Sequence, residues 1–485
     1  VAGRHRGGRA LNRAARPGAA VRLDRRRFLA GAGALTAAPF VAVPFAGALL
    51  AACSDDGGTP STGRALEPDA VLRTRWADDP FARGAYSYVP VGVTNGPALR
   101  EALGAPVEAQ LFFAGEATSV DAPATVHGAI ASGRRAAGEV LASGARPGSA
   151  VVVLGAGAAG LAAAAELRNA GLSPVVVEAR DRTGGRVHTD TSLGVPVDLG
   201  AAWVHDAREG NPVLPLARRA SVTLQAFEHS TVLRSSGGRR LDADRTVDRM
   251  DRALEKVGGG SGADDELDRR VRAEAAALGL REPELTWAIT SAIELELGAP
   301  ATAVSWRSFD EGGGDADDDA DALPAGGYGP VLAPLADGLD IRLRTPVATV
   351  QWSRARNRLV TAAGAEIPFD RCIVTLPLGV LQAGAPAFDP PLPAAKAQAI
   401  RTLGTGLVDK LALRFPAVFW ERDRSWLGFT GTTPGEWAEW LNLAPSTGAP
   451  VLVGFNAANV ARTFQTRTDE QLVTSARSAL RAMYP

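Results

Sequence analysis

Apolar residues run unbroken from Val151 to Leu154, alternate through Leu411, Leu413 and Phe415, and recur at helical spacing over 247–257, 265–278 and 284–297. These periods predict a buried strand, a half-buried strand and three amphipathic helices. The unbroken run enters Gly155-Ala156-Gly157-Ala158-Ala159-Gly160, and the alanine-rich stretch over 161–170 predicts a helix directly after it. A further strand is predicted over 174–177, ending on Glu178. Strands and helices in alternation predict an α/β fold.

Length and composition narrow the class. The 485 residues are 46% apolar and 22% charged, which excludes a disordered or fibrous chain and allows two domains, one inserted in the other. A net charge of -1 gives no electrostatic footprint for nucleic acid. The two cysteines, Cys53 and Cys372, cannot form a disulfide framework and lack the spacing of a metal site. Only Lys256, Lys396 and Lys410 are lysines, so each is a candidate for chemistry that the fixed charge of arginine cannot perform.

The neutral balance conceals a split. Residues 1–52 carry nine arginines and one acid, a net +8, which leaves -9 on residues 53–485. Asp24-Arg25-Arg26-Arg27-Phe28-Leu29 precedes an uncharged stretch over 28–52 that ends in Leu50-Ala51-Ala52-Cys53. This order is expected of a twin-arginine export signal closing on a lipoprotein cleavage site, with Cys53 as the lipid-bearing residue; a plain membrane anchor is the alternative. Twin-arginine export carries folded proteins, so the expectation is an extracytoplasmic, lipid-anchored protein that loads a cofactor before export.

A β-branched strand entering G-x-G-x-x-G and a helix is a dinucleotide-binding turn. Gly155 makes the tight turn, Gly157 admits the pyrophosphate, and Gly160 lets the helix pack on the strand. Glu178 then stands where a carboxylate accepts both hydroxyls of a ribose.

The continuation Glu178-Ala179-Arg180-Asp181-Arg182-Thr183-Gly184-Gly185-Arg186 resembles the flavin-containing amine oxidases, the family of monoamine oxidases, polyamine oxidases and lysine-specific histone demethylases. The likeness extends through Val197-Asp198-Leu199-Gly200-Ala201-Ala202-Trp203-Val204-His205, Gly326-Gly327-Tyr328, Val374-Thr375-Leu376-Pro377-Leu378-Gly379 and Pro390-Pro391-Leu392-Pro393-Ala394-Ala395-Lys396, and ends near Phe419-Trp420. The family's last flavin-binding block, however, resembles residues at the front of this chain: Arg83-Gly84-Ala85-Tyr86-Ser87-Tyr88, Leu111-Phe112-Phe113-Ala114-Gly115-Glu116 and Ala124-Thr125-Val126-His127-Gly128. The chain is similar to a circular permutant in which residues 143–149 join the former last helix to the former first strand. A joining of fragments from two genes is the alternative.

The resemblance implies a glutathione-reductase-like, Rossmann-type FAD domain with an inserted α+β substrate domain in permuted order. Its parts are a signal (1–52), a linker (53–72), a C-terminal-type FAD block (73–148), the dinucleotide βαβ (149–205), a mostly helical cap (206–325), a return to the FAD domain (326–385) and a substrate-domain sheet with a helix (386–485). It also implies non-covalent FAD, since Ala85 stands where monoamine oxidases bear the flavin-bonding cysteine. FAD contacts are expected from Gly155, Gly157, Ala159, Gly160, Glu178, Arg180, Gly184, Gly185, Arg186, Ala202, Trp203, Val347, Glu116, Thr125 and Val126.

By the same resemblance Lys396 holds a water at flavin N5, Tyr86 and Thr125 flank the substrate amine, and His205 lies beside it. Lys410 reads as structural, in the alternating pattern of its strand. The implied reaction transfers hydride from the carbon alpha to a mono-, di- or polyamine onto FAD, hydrolyses the imine, and returns the electrons to O2 as H2O2. An amino-acid oxidase, a desaturase and a non-catalytic flavin-binding surface lipoprotein remain open. The acidic run Asp310, Glu311, Asp315, Asp317, Asp318, Asp319 and Asp321 reads as a solvated loop.

Overall fold

The computed structural model describes residues 66–310, 320–353 and 356–485. The signal, Cys53 and most of the acidic run, from Glu311 to Asp319, lie outside these residues. Among the described residues no helix is long and apolar enough to cross a membrane.

The centre is a five-stranded parallel sheet in the spatial order Asp340–Arg342, Val175–Val177, Val151–Leu154, Arg371–Val374 and Leu111–Phe113. Strands buried on both faces read as continuous apolar runs, and Val151–Leu154 and Leu111–Phe113 are buried throughout. The sheet takes an edge strand from the front of the chain and its other four strands, two each, from two later segments, 149–205 and 326–385. The helix Val126–Ala142 packs against the helix Ala158–Asn169, and a Cβ on Gly133 would lie 2.1 Å from the carbonyl oxygen of Ala159. Only glycine permits that approach. On the other side of the sheet Val350, Trp352, Leu359 and Ile367 fill a core beneath a second sheet of Glu366–Pro368, Arg358–Thr361, Val347–Gln351 and Ala387–Asp389.

A seven-stranded sheet forms the other half: Ala70–Arg73, Val408–Arg414, Val451–Ala457, Glu439–Asn442, Trp426–Thr430, Thr231–Ser235 and Arg240–Leu241. Its first strand begins inside the expected 53–72 linker, and two of its strands come from the expected helical cap. The cap is helical where the period-3.6 pattern fell, at Ala243–Gly258, Leu267–Ala277 and Glu284–Ile289, the last continuing through a π turn at Thr290–Glu294. Short strands beside these helices, Leu224–Ala226 paired with Ala322–Pro324, make the region mixed instead of mostly helical.

Candidate functional site

A single cavity of about 1430 Å³ runs from Glu178 and Val347, at the ends of sheet strands, past Gly155 and Gly157 to Ala202, Trp203 and Tyr86. It exceeds the usual size of a small-ligand site, as a dinucleotide plus substrate requires. Gly155 has φ +109°, and a Cβ on Gly160 would lie 1.9 Å from the Gly155 carbonyl oxygen, so the turn and the helix behind it both demand glycine.

Glu178 holds this turn as well as facing the cavity. One of its oxygens accepts from Ala156 N (2.8 Å) and the other from Arg180 N (2.8 Å). Gly184 N donates to the Ala156 carbonyl (2.8 Å), which brings the Gly184-Gly185 pair against the first glycine turn. Arg180 pairs with Asp79 at 2.6 Å, while its buried Nη2 has no hydrogen-bond partner among the described residues. An orphaned guanidinium nitrogen beside a glycine turn fits the phosphates of a dinucleotide.

Farther along, Arg186 donates to the Ala85 carbonyl (2.7 Å) and to Glu116 Oε1 (2.9 Å). The other Glu116 oxygen accepts from Ser87 Oγ (2.7 Å) and Ala124 N (3.1 Å). Burial pushes the Glu116 carboxyl up, but Arg186, Ser87 and Arg100 outweigh it and hold the group below its ordinary value. The front of the chain is thereby fastened to the dinucleotide segment by a charged pair inside the cavity wall.

Thr125 is the N-cap of the helix Val126–Ala142: its hydroxyl accepts from Gly128 N (3.0 Å) and donates to the Ala122 carbonyl (2.9 Å). It lines the cavity with Val126, yet its hydroxyl is committed to the backbone. The start of that helix offers N-H groups and a positive dipole end to the cavity. Tyr86 donates to the Leu295 carbonyl (2.5 Å), and burial, followed by Glu296 and Glu116, pushes its phenol well above the ordinary range, so it is neutral.

The lysine expectation is corrected. Lys396, on the helix Ala394–Thr402, does not line the cavity; that helix packs on Gly96–Gly104, and its Nζ donates to the Ala102 (3.1 Å) and Leu103 (2.5 Å) carbonyls, 3.9 Å from the Phe113 ring centre. It caps a helix C-terminus, where carbonyls lack intrahelical partners. Lys410 lines the cavity instead. Its Nζ donates to the Asp198 (2.8 Å) and Gly200 (2.6 Å) carbonyls and lies 5.2 Å from the Phe455 ring centre and 5.8 Å from that of Trp203. Burial draws its pKa down to about 8 against the opposing pull of Asp198.

Trp203 stacks on Trp426 at 5.6 Å and meets Phe227 edge-on at 5.7 Å. Trp426 and Phe455 are cavity-lining rings that the sequence pattern did not single out. His205 lines the cavity with its Nδ1 2.9 Å from Asp321, a pairing that sequence spacing could not reveal. Among the lining residues from the cap, seven are carboxylates (Asp206, Asp244, Asp248, Asp251, Glu296, Asp310 and Asp321), and Arg245 is the one arginine.

The model of the family described as flavin containing amine oxidoreductase matches residues 60–141, 158–323 and 318–485. Polyamine oxidase 4 of Oryza sativa subsp. japonica is 32% identical over 372 residues, covering 69% of this chain and 73% of the relative. Lysine-specific histone demethylase 2 of Homo sapiens is 32% identical over 358 residues, covering 69% of this chain and 43% of that protein. A solved structure of putrescine oxidase bound to putrescine shares the fold, with a TM-score of 0.56, 23% identity and coverage of 70% of this chain and 83% of that one. The chain belongs to the flavin-containing amine oxidoreductases, FAD-dependent enzymes that act on amines.

Proposed function

We propose that this chain oxidises a diamine or polyamine with O2 as the electron acceptor. The observation that carries the substrate class is the excess of carboxylates over arginine on the cap side of the cavity, which favours a ligand bearing more than one ammonium group. The names of the relatives, polyamine and putrescine oxidases, agree with it.

When bound, FAD supplies the two-electron acceptor for the C-N bond. The turn over 155–160 and the amides near Gly184 would hold its pyrophosphate, Glu178 the adenosine ribose, Val347 the adenine, and Glu116 with Arg186 the ribityl end. Ala202 and Trp203, which line the cavity, would border its ring system. Ala85 offers no nucleophile to the cofactor, which favours FAD held without a covalent bond. Lys410, protonated, spends two N-H bonds on carbonyls and keeps a third for a water. Its lowered pKa lets it exchange a proton near neutral pH. Tyr86 stays neutral and presents an aromatic wall to the amine.

We further propose that the order of blocks is a circular permutation. Support comes from the parallel pairing of Leu111–Phe113 with Arg371–Val374, and from the match of the front block, residues 60–141, to the family as a segment of its own beside 158–323 and 318–485. Export by the twin-arginine route with a lipid on Cys53 belongs to the same proposal and rests on the sequence alone.

The test is anaerobic titration of the purified, flavin-loaded protein with putrescine, spermidine, monoamines and amino acids, followed by a peroxide assay in air. Bleaching by polycations ahead of monoamines supports the reading. Bleaching by amino acids alone overturns it, as does a flavin that no amine reduces. The intact mass of the protein tests whether one chain spans both halves.

A further inference from the structure

Asp321 stands between two imidazoles brought together by the backbone. Val204 N donates to the Ala322 carbonyl (2.8 Å) and Ala322 N to that of Val204 (3.1 Å), while Phe227 N donates to the Asp321 carbonyl (2.9 Å). These bonds set His205, Asp321 and His229 side by side on the cavity wall. Asp321 Oδ2 lies 2.9 Å from His205 Nδ1 and 3.8 Å from His229 Nε2. The segments are already tied by their backbones, so the buried Asp321 side chain is not needed for that purpose.

The chemistry of the carboxylate decides the tautomer. Burial pushes the Asp321 carboxyl up, yet its hydrogen bond to His205 and the neighbouring His229 imidazole outweigh that and bring it down to about 2, so it is ionised throughout the working range. An ionised carboxylate can only accept. His205 must therefore donate from Nδ1, and in the neutral ring the lone pair belongs to Nε2.

The charged surroundings are the remaining determinants. His127, from the first turn of the helix Val126–Ala142, faces this group; burial and then His205 hold it below the ordinary range, with Asp206 and Asp321 opposing. His229 presents its ring to the edge of Phe227 at 4.7 Å. Among the described residues, the charged or titratable groups around His205 include Asp321, His229 and His127, with Asp206 next to it in the chain.

We propose that Asp321 is a positioning residue of the amine site: it fixes His205 as the Nδ1-H tautomer, so that Nε2 accepts an N-H of the substrate amine. This rests on the amine-oxidase reading above. Protonation of His205 removes the acceptor and places a positive charge against a cationic substrate. Activity is then lost on the acid side, and the Asp321 charge, which favours the imidazolium, moves that loss to higher pH.

The test compares wild type, Asp321→Asn and Asp321→Glu by ¹⁵N-histidine NMR and by pH profile, with His205→Gln and His229→Gln identifying the signals. The expected result is an Nδ1-H signature for His205 in wild type. In Asp321→Asn that signature is lost and the ring titrates about one pH unit lower. The acid limb of kcat/KM for spermidine moves down with it, KM rises about three- to tenfold with plateau kcat little changed, and Asp321→Glu restores both. The same tautomer and titration in wild type and Asp321→Asn overturn the proposal. A wild-type flavin that no amine bleaches overturns the amine-oxidase reading instead, and the NMR comparison still decides Asp321.

Discussion

The Nζ of Lys410 donates to the carbonyl oxygen of Gly200 across 2.6 Å, so the seven-stranded sheet meets the turn leading to Ala202 and Trp203 at one ammonium group. Methionine at position 410 keeps the length of the stem and removes both the donors and the proton. Lys410→Met is expected to retain FAD while turnover falls about 10²-fold, the usual contribution of a positioned acid-base group. In wild type the steps that depend on Lys410 should change near pH 8, where the ammonium loses its proton, and Lys410→Met should lack that transition. Stopped-flow traces of flavin reduction and reoxidation between pH 6 and about 10 separate the two. An unchanged pair of rates would return Lys410 to a structural role.

The alternating pattern of its strand conceals the position of this lysine. In Val408–Arg414, Lys410 alternates with Leu411 and Leu413, and a period of two assigns it to the face opposite theirs. That face reads as solvent in a one-sided sheet, but here it is buried against the cavity, and Lys410 is only 8% exposed. Period alone does not say whether a second face is covered. Lys396 sits in a more recognisable string, Leu392-Pro393-Ala394-Ala395-Lys396, yet a string does not report which helix its own helix packs upon. The glycine turn and Glu178 were legible because their partners lie within a few tens of residues. His205 with Asp321, and Glu116 with Arg186, are joined only by tertiary structure.

Lys396 offers a measure of buried charge away from the cavity. Burial, with Arg135 adding and Glu139 opposing, lowers its pKa from 10.5 to about 7. Between those values the unfolded chain binds the proton and the folded chain does not. Stability therefore rises with pH through this window, by at most about 1.4 kcal/mol per unit, and is insensitive to this group below pH 7. Urea midpoints for wild type relative to Lys396→Met should be parallel below about pH 7 and shift in favour of wild type toward pH 10. A difference that does not vary with pH would mean that Lys396 is solvated in the folded protein.

Glu116 accepts from Arg186, Ser87 and Ala124, and so joins the front block to the dinucleotide segment. Glu116→Gln keeps the shape and leaves the Arg186 guanidinium without its charged partner. The expected cost is about 2 kcal/mol of stability, together with weaker retention of FAD. Thermal denaturation and the flavin-to-protein absorbance ratio after gel filtration check both. Full flavin retention with unchanged stability would show that Arg186 finds equal compensation elsewhere.

The contact of Gly133 with Ala159 makes the block order testable. If the helix Val126–Ala142 and the helix Ala158–Asn169 are held by packing, the residues between them serve only as a tether. A protease site placed within 143–149 should then be cleavable with no loss of bound flavin, and the two fragments should elute together. Gly133→Val would force its side chain into the Ala159 backbone, and with that substitution the cleaved fragments should separate and release FAD. The uncleaved Gly133→Val protein should be destabilised by about 1–3 kcal/mol, the range for overpacking a tight core. Separation of the fragments after cleavage of the otherwise wild-type chain would show that the covalent link, and not the helix pair, holds the front block in place.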